Sequence, residues 1–219
     1  MELFEESLGL VDHLHRLRNA FRPEDDESSI TDHTPLEKAM LELVNDRQVA
    51  VRVMERLAHD NRFLAEQAAN LFNNEVVIWR EPDRGFSIRV FIWSNDCDNF
   101  VHDHNSWGMI ATWFGEIAVE NYNRLDQGEQ EGIARLQLRE KMILKPGQTA
   151  MIKPFDDGIH RVCSANGEMA ISVSIYARRL AERGYLYKFD PETGKISKLF
   201  HRSRRRKEWA KEMLSKMTP

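Results

Sequence analysis

The sequence predicts a mainly β domain, a sandwich or small barrel, preceded by a helical segment. Three observations carry that expectation. Apolar residues recur at three and four positions through the first 74 residues, short runs of β-branched and aromatic residues follow, and clusters of Gly, Pro and Asp separate those runs.

Leu3, Leu8, Val11, Leu14 and Leu17 have helical spacing, and Leu36, Met40 and Leu43 repeat it in a second block. Between the blocks, Arg22-Pro-Glu-Asp-Asp-Glu-Ser-Ser29 gathers acids and breakers into a solvated loop. Thr34-Pro35-Leu36-Glu37 has the form of a capping box with proline in the first turn, in which the Thr hydroxyl and the Glu carboxylate satisfy each other's backbone N–H groups. A further helical run covers 61–72 and ends at Asn73-Asn74. Strands are expected over 76–79, 86–94, 109–113, 117–122, 134–138, 149–152, 170–176, 185–189 and 196–200. Turn signals such as Pro82-Asp-Arg-Gly85, Lys145-Pro-Gly147 and Asp190-Pro-Glu-Thr-Gly194 divide them. The expected organisation is a helical segment over 1–74 packed on a barrel over 75–200, with a basic C-terminal helix or tail over 201–219.

Composition narrows the function classes. With 42% hydrophobic and 30% charged residues in 219, the chain can bury a real core. A net charge of −4 argues against an electrostatic grip on nucleic acid, and Arg204-Arg-Arg-Lys207 reads as a solvated helix face. No apolar stretch approaches the roughly 20 residues of a membrane span. Cys97 and Cys163 cannot build a disulfide scaffold, and the N-terminus opens with acids rather than the bases of a secretory signal, so a cytoplasmic setting is expected. The expected partner is a small molecule, and the expected state a monomer or weak homo-oligomer.

The most informative segment is His102-Asp103-His104. Residues two apart on a strand share a face, so two imidazoles would stand side by side inside the barrel. His13-Leu14-His15 has the same spacing, but it lies in a helical run, where such residues diverge around the axis. A third histidine, His160, follows Pro146-Gly147 and Gly158 after a turn, a strand and a tight polar turn. That path would return a third ligand to the first pair. Cys163, an odd number of positions from His160, is expected on the opposite face as a packed thiol.

On these residues the chain resembles the cupin superfamily, whose first motif carries His-x-His and whose second carries Pro-Gly followed by a later His. Most cupins add a glutamate four or five residues after the second histidine, where this sequence has Gly108 and Met109. The all-histidine set and the sequence His102-Asp-His-x-x-Trp107-Gly108 resemble the thiol dioxygenase branch, which comprises cysteine dioxygenase and 3-mercaptopropionate dioxygenase. The resemblance covers roughly residues 76–200. It implies a double-stranded β-helix, ferrous iron (Fe2+) on His102, His104 and His160, and conversion of a small carboxylate-bearing thiol and O2 to a sulfinic acid.

The resemblance also implies roles for further residues. Ser172-Val-Ser174-Ile-Tyr176 parallels a Ser-x-His-x-Tyr pattern, with Ser174 in place of the histidine, so Tyr176, Ser172 and Ser174 are the catalytic candidates. Arg80 falls where cysteine dioxygenases grip the substrate carboxylate, a task suited to a guanidinium fork. A surface ion pair with Glu81 or Asp83 is the other reading of that arginine. Arg89 and Trp107 are further substrate-binding candidates, and the mercaptopropionate enzymes would nominate Arg178, Arg179 or Arg183 instead. Animal cysteine dioxygenases crosslink the tyrosine to a nearby cysteine; residues 105–111 contain none, so Tyr176 is expected unmodified. Two other readings stand beside this one: an iron cupin that cleaves a C–C bond in a chelating non-thiol substrate, and a cupin that binds metal without catalysis.

Overall fold

A computed structural model describes residues 6–21, 32–82, 85–180 and 183–217. The loop expected over 22–29, the start of the first helical run and the centre of the turn at 82–85 lie outside or partly outside them. The described helices are α1 (Val11–Ala20), α2 (Thr34–Asn45), α3 (Arg47–His59), α4 (Asn61–Gln67) and α5 (Arg202–Met217). The strands are β1 (Glu75–Arg80), β2 (Phe86–Trp93), β3 (Val101–His102), β4 (Gly108–Phe114), β5 (Ile117–Arg124), β6 (Leu136–Leu144), β7 (Thr149–Ile152), β8 (His160–Ser164), β9 (Ala170–Ala177), β10 (Leu186–Phe189) and β11 (Ile196–Leu199).

Two antiparallel sheets run in the orders β1-β2-β9-β4-β7 and β11-β10-β3-β8-β5-β6. Without β1 and the β10–β11 hairpin, β2-β9-β4-β7 faces β3-β8-β5-β6. From β2 to β9 the chain crosses between sheets at every connection except β5–β6. This is the eight-stranded jelly roll, a double-stranded β-helix of the cupin type. The fold is mainly β, with helices leading into the barrel, as expected.

Strand alternation sorts side chains between two cores. On β2, Phe86, Ile88 and Val90 face outward and join Met109 and Ala111 of β4 and Val173 and Ile175 of β9 beneath the helices. Leu14, Leu17, Leu36, Met40, Leu43, Val49 and Val53 supply the helical side of that core. Phe91 and Trp93, two and four positions after Arg89, face the barrel interior with Ile110, Ile117, Val119 and Val162. The helical segment therefore covers the outside of the five-stranded sheet and leaves the interior to the site.

Three local expectations are corrected. The capping box does not close: Thr34 is the first helical residue, Asp32 accepts from the Thr34 N–H at 3.0 Å, and the Glu37 carboxylate accepts instead from the Thr149 hydroxyl at 2.7 Å. α4 ends at Gln67, because Asn70 and Glu75 take over the following backbone: the Asn70 amide donates to the Glu75 carbonyl at 2.9 Å, and the Glu75 carboxylate accepts from the Leu71 N–H at 2.9 Å. β6 is expected over 134–138 but runs from Leu136 to Leu144, because Arg139-Glu140-Lys141 continues it as a charged, exposed edge strand.

His13 and His15 share no ion site. The His13 ring is buried and bonds Asp46, the N-cap of α3, at 3.0 Å, while His15 is exposed. Among the described residues no helix is long and apolar enough to cross a membrane.

Candidate metal centre

Register builds most of the histidine cluster. β3 and β8 pair with His102 directly opposite His160, and Asn121 of β5 lies beyond His160 in the same row. Opposed residues of an antiparallel pair have Cα atoms about 4.5–5.5 Å apart, so both imidazoles start from one place. β3 ends at His102, and His104 arrives from the loop that follows, its ring centroid 4.8 Å from that of His102 and 4.6 Å from that of His160. The intervening Asp103 points away: its carboxylate accepts from the Tyr187 N–H at 2.7 Å and pairs with Arg183 at 2.6 Å. Arg183 also donates to the Asn105 side-chain carbonyl, so it ties the segment after β9 to the His102–His104 loop. Burial raises the Asp103 pKa against the pull of Tyr187 and Arg183.

The turn before His160 is fixed by backbone. Phe155 stands in the left-handed region at φ 55°, and its N–H donates to the His104 carbonyl at 2.8 Å. A Cβ on Gly158 would stand 1.7 Å from the Lys153 carbonyl oxygen, so only glycine fits. The polar turn thereby bolts the second ligand segment to the first.

All three rings are buried, and one ligating atom of each lies within 4.8 Å of the others. His104 Nε2 and His160 Nε2 face each other at 2.9 Å. The His102 Nδ1–H donates to the Phe100 carbonyl at 3.1 Å, which leaves the Nε2 lone pair unprotonated. Burial lowers the His102 pKa to about 4 and holds His104 and His160 well below the ordinary value, so all three are neutral near pH 7. Neutral, convergent imidazoles with one tautomer fixed from outside are what a divalent ion requires, and this cluster can hold one. Imidazole alone does not choose among zinc, copper, nickel and iron.

Tyr176 connects the histidines to solvent. Its ring stacks on His104 with centroids 5.5 Å apart, and the Arg89 guanidinium lies 5.1 Å from the ring centroid on β9's neighbour. Burial raises the phenol to about 12, against the pull of Arg89 and Ser174, so it is a protonated donor at neutral pH. Gly108 lies opposite Tyr176, and a Cβ there would stand 2.5 Å from the Ile175 carbonyl oxygen and 3.0 Å from the Tyr176 ring. Glycine at 108 thus lets the phenol pack flat on β4. Ser172 and Ser174 share the inward face of β9 with it. The Ser172 hydroxyl accepts from the Trp93 indole at 2.8 Å, whereas the buried Ser174 hydroxyl completes no hydrogen bond of ordinary geometry. A chamber of about 20 Å³, room for about one water, lies between His102, His160, Ser174 and Tyr176.

A cleft of about 920 Å³ opens on the other side of Tyr176 and reaches His104. Arg80, Arg89, Arg178 and Arg179 line it. Arg80 gets there through a β-bulge. The β1–β2 register skips Ile78, so Val77 pairs with Arg89 while Trp79 pairs with Ile88 and Arg80 with Ser87. Strict alternation would put Trp79 inward and Arg80 outward. The inserted residue reverses the parity, sending Trp79 into the outer core and Arg80 to the cleft. Burial and the charges of Arg89 and Arg179 lower the Arg80 pKa, against Glu75. Arg89 is already engaged, since its guanidinium meets the fully buried Glu75 carboxylate at 2.5 Å.

Not every candidate reaches the site. Trp107 is not among the cleft or chamber residues; it is buried in the outer core and stacks on Phe21 at 5.3 Å. Sequence reasoning missed three residues that do contribute: Glu75, Phe72, whose ring lies 4.9 Å from His102, and His201, which lines the cleft. In the sequence Phe72 reads as the end of a helical run, Glu75 as the residue before a strand and His201 as the start of the C-terminal helix or tail. Only tertiary pairing reveals their positions.

No family model matches the sequence, and no curated protein does. Solved structures similar to this chain include a cupin superfamily protein from Desulfitobacterium hafniense DCB-2 (12% identity, TM-score 0.33, covering 48% of this chain and 75% of that one). A cupin 2 conserved barrel domain protein from Rhodopseudomonas palustris is similar at 10% identity and TM-score 0.39 (54% and 68% covered). Hydroquinone 1,2-dioxygenase from Sphingomonas sp. TTNP3, with 4-hydroxybenzoate bound, is similar at 9% identity and TM-score 0.38 (49% and 66% covered). Likenesses of this size carry no argument about chemistry. The fold rests on this chain's own strand order and the metal centre on its own three histidines.

Proposed function

We propose that the protein is an iron-dependent thiol dioxygenase acting on a small carboxylate-bearing thiol. The observation that carries this reading is the junction of three buried neutral histidines with an arginine-lined cleft, at Tyr176 and His104. A ferrous ion on His102, His104 and His160 supplies the acidification of a thiol and the activation of dioxygen that sulfinate formation requires. The reaction balances without a further reductant: RSH and O2 give RSO2H, with both oxygen atoms on sulfur, which gives up four electrons.

The chain's own residues orient and protect this reaction. Arg80 takes the carboxylate in a two-pronged hydrogen bond and so fixes the direction of the thiol end. The Tyr176 phenol, kept protonated by burial, donates a hydrogen bond toward the reacting end. Phe72, Phe91 and Trp93 line the chamber beside the histidines and limit water there. Ser174 leaves Tyr176 without the histidine of the related pattern, so Arg89 and the strand register hold the phenol instead.

Anaerobic loading with ferrous iron, followed by oxygen uptake with cysteine and 3-mercaptopropionate, tests the reading. One sulfinate per O2 is expected, and His160→Ala abolishes it. Iron-replete protein that consumes oxygen with a chelating diketone but with no thiol contradicts it.

A further inference from the structure

The cleft is larger and more basic than a single carboxylate demands. Its volume of about 920 Å³ lies at the upper end of the roughly 300–1,000 Å³ typical of small-molecule sites, and a three-carbon thiol would leave most of it to water. Among the described residues four arginines line it against one carboxylate, Glu81. That carboxylate is already held by Arg18 at 2.7 Å and by the Trp79 indole at 2.7 Å. Arg89 is in turn neutralised by Glu75. Among the described residues no salt bridge engages Arg80 or Arg178, although the whole chain carries a net charge of −4. Positive charge concentrated in one cleft of an acidic protein is a binding device for anions.

The two arginines stand apart. Arg80, Ser87 and Tyr176 form one row across β1, β2 and β9, while Arg178 follows the end of β9, two residues beyond Tyr176, and lines the same cleft. Two strand spacings of about 4.8 Å and two residues at about 3.4 Å separate their backbones by roughly 12 Å. Guanidinium groups on such a base can reach two acidic groups of one ligand.

We propose that Arg80 and Arg178 form a two-point anion clamp, and that the substrate is a thiol bearing two separated acidic groups, carboxylate or phosphate. The inference rests on the thiol reading for the reaction but not for the clamp. His201 and Arg179 line the same cleft, and burial lowers the His201 pKa, with Arg89 and Arg179 adding to the fall against Glu75.

The test separates the two ideas. Iron-loaded protein is assayed for oxygen uptake with 3-mercaptopropionate, mercaptosuccinate and 2-mercapto-3-phosphonopropionate, the last bearing one carboxylate and one phosphonate. Calorimetry with propionate, succinate and 3-phosphopropionate then reads anion binding without turnover. Mercaptosuccinate or the phosphonate thiol is expected to exceed 3-mercaptopropionate at least tenfold in kcat/KM, and which of them leads tells carboxylate from phosphate. A dianion is expected to bind at least tenfold tighter than propionate. Arg178→Ala removes that preference in both assays with metal content unchanged. Equal use of all three thiols, or a dianion preference that survives Arg178→Ala, overturns the clamp while thiol oxidation stands. Dianion binding that depends on Arg178 with no thiol-driven uptake supports the clamp and overturns thiol oxidation.

Discussion

Replacing Glu75 with alanine is expected to destabilise the protein by about 4 kcal/mol, the middle of the range for breaking a buried ion pair. The Glu75 side chain is fully buried, its partner Arg89 is 14% exposed, and their atoms meet at 2.5 Å. The same carboxylate accepts from the backbone N–H groups of Leu71 at 2.9 Å and Phe72 at 3.3 Å. Alanine leaves a charge and two donors without an acceptor, and it frees the segment that lays Phe72 over His102. For a chain of this size each kcal/mol moves Tm by about 2–4 °C, so a fall of roughly 8–16 °C is expected. Glu75→Gln keeps an acceptor for the amides and loses only the charge, so its fall is smaller. Glu75 also raises the Tyr176 pKa while Arg89 lowers it, so both variants are expected to show a lower phenol pKa in an ultraviolet titration. Thermal unfolding of the two variants and of the Glu75→Ala/Arg89→Ala pair is the assay. A Tm for Glu75→Ala within about 2 °C of the parent refutes the reasoning.

Gly108→Ala forces a methyl group to 2.5 Å from the Ile175 carbonyl oxygen and 3.0 Å from the Tyr176 ring. It is expected to cost about 1–3 kcal/mol and to lower activity more than metal content, read by denaturation and metal analysis in parallel. Asp126 accepts from the Arg135 N–H, the Gly128 N–H and Arg124, and its pKa falls to about 2. A folded pKa below the unfolded one adds stability above about pH 4 that is lost as pH falls through 2. Asp126→Asn is therefore expected to lower stability near neutrality, and the gap to the parent closes in acid.

The parts of the fold legible in the sequence are those governed by local pattern. Phe86-Ser-Ile-Arg-Val90 alternates apolar and polar residues, so its strand is readable, and His102 and His160 meet across paired strands after a Gly-bearing turn, whereas His104 arrives from the loop after β3 rather than by strand parity. What escaped depends on distant partners. Arg80 was nominated by resemblance alone, and by alternation it faces outward; the bulge at Ile78 that turns it inward leaves no composition signal. Thr34 and Glu37 match a capping box in type and spacing, yet Thr149, which comes from 112 positions away, takes the Glu37 carboxylate. Trp107 sits beside the ligands in sequence, but β4 begins at Gly108, and the indole turns to Phe21 in the outer core. Ala118 and Cys163 pair across β5 and β8 on the face away from His160, as the odd spacing implied.

Metal titration of the parent and of the three single alanine variants at His102, His104 and His160, followed by X-ray absorption at the bound metal's edge, tests the metal centre most directly. One ion per chain with three imidazole nitrogens at about 2.0–2.2 Å is expected, and each variant loses most of its occupancy. An occupancy that any one variant leaves unchanged, or a first shell with fewer than three imidazoles, contradicts the account.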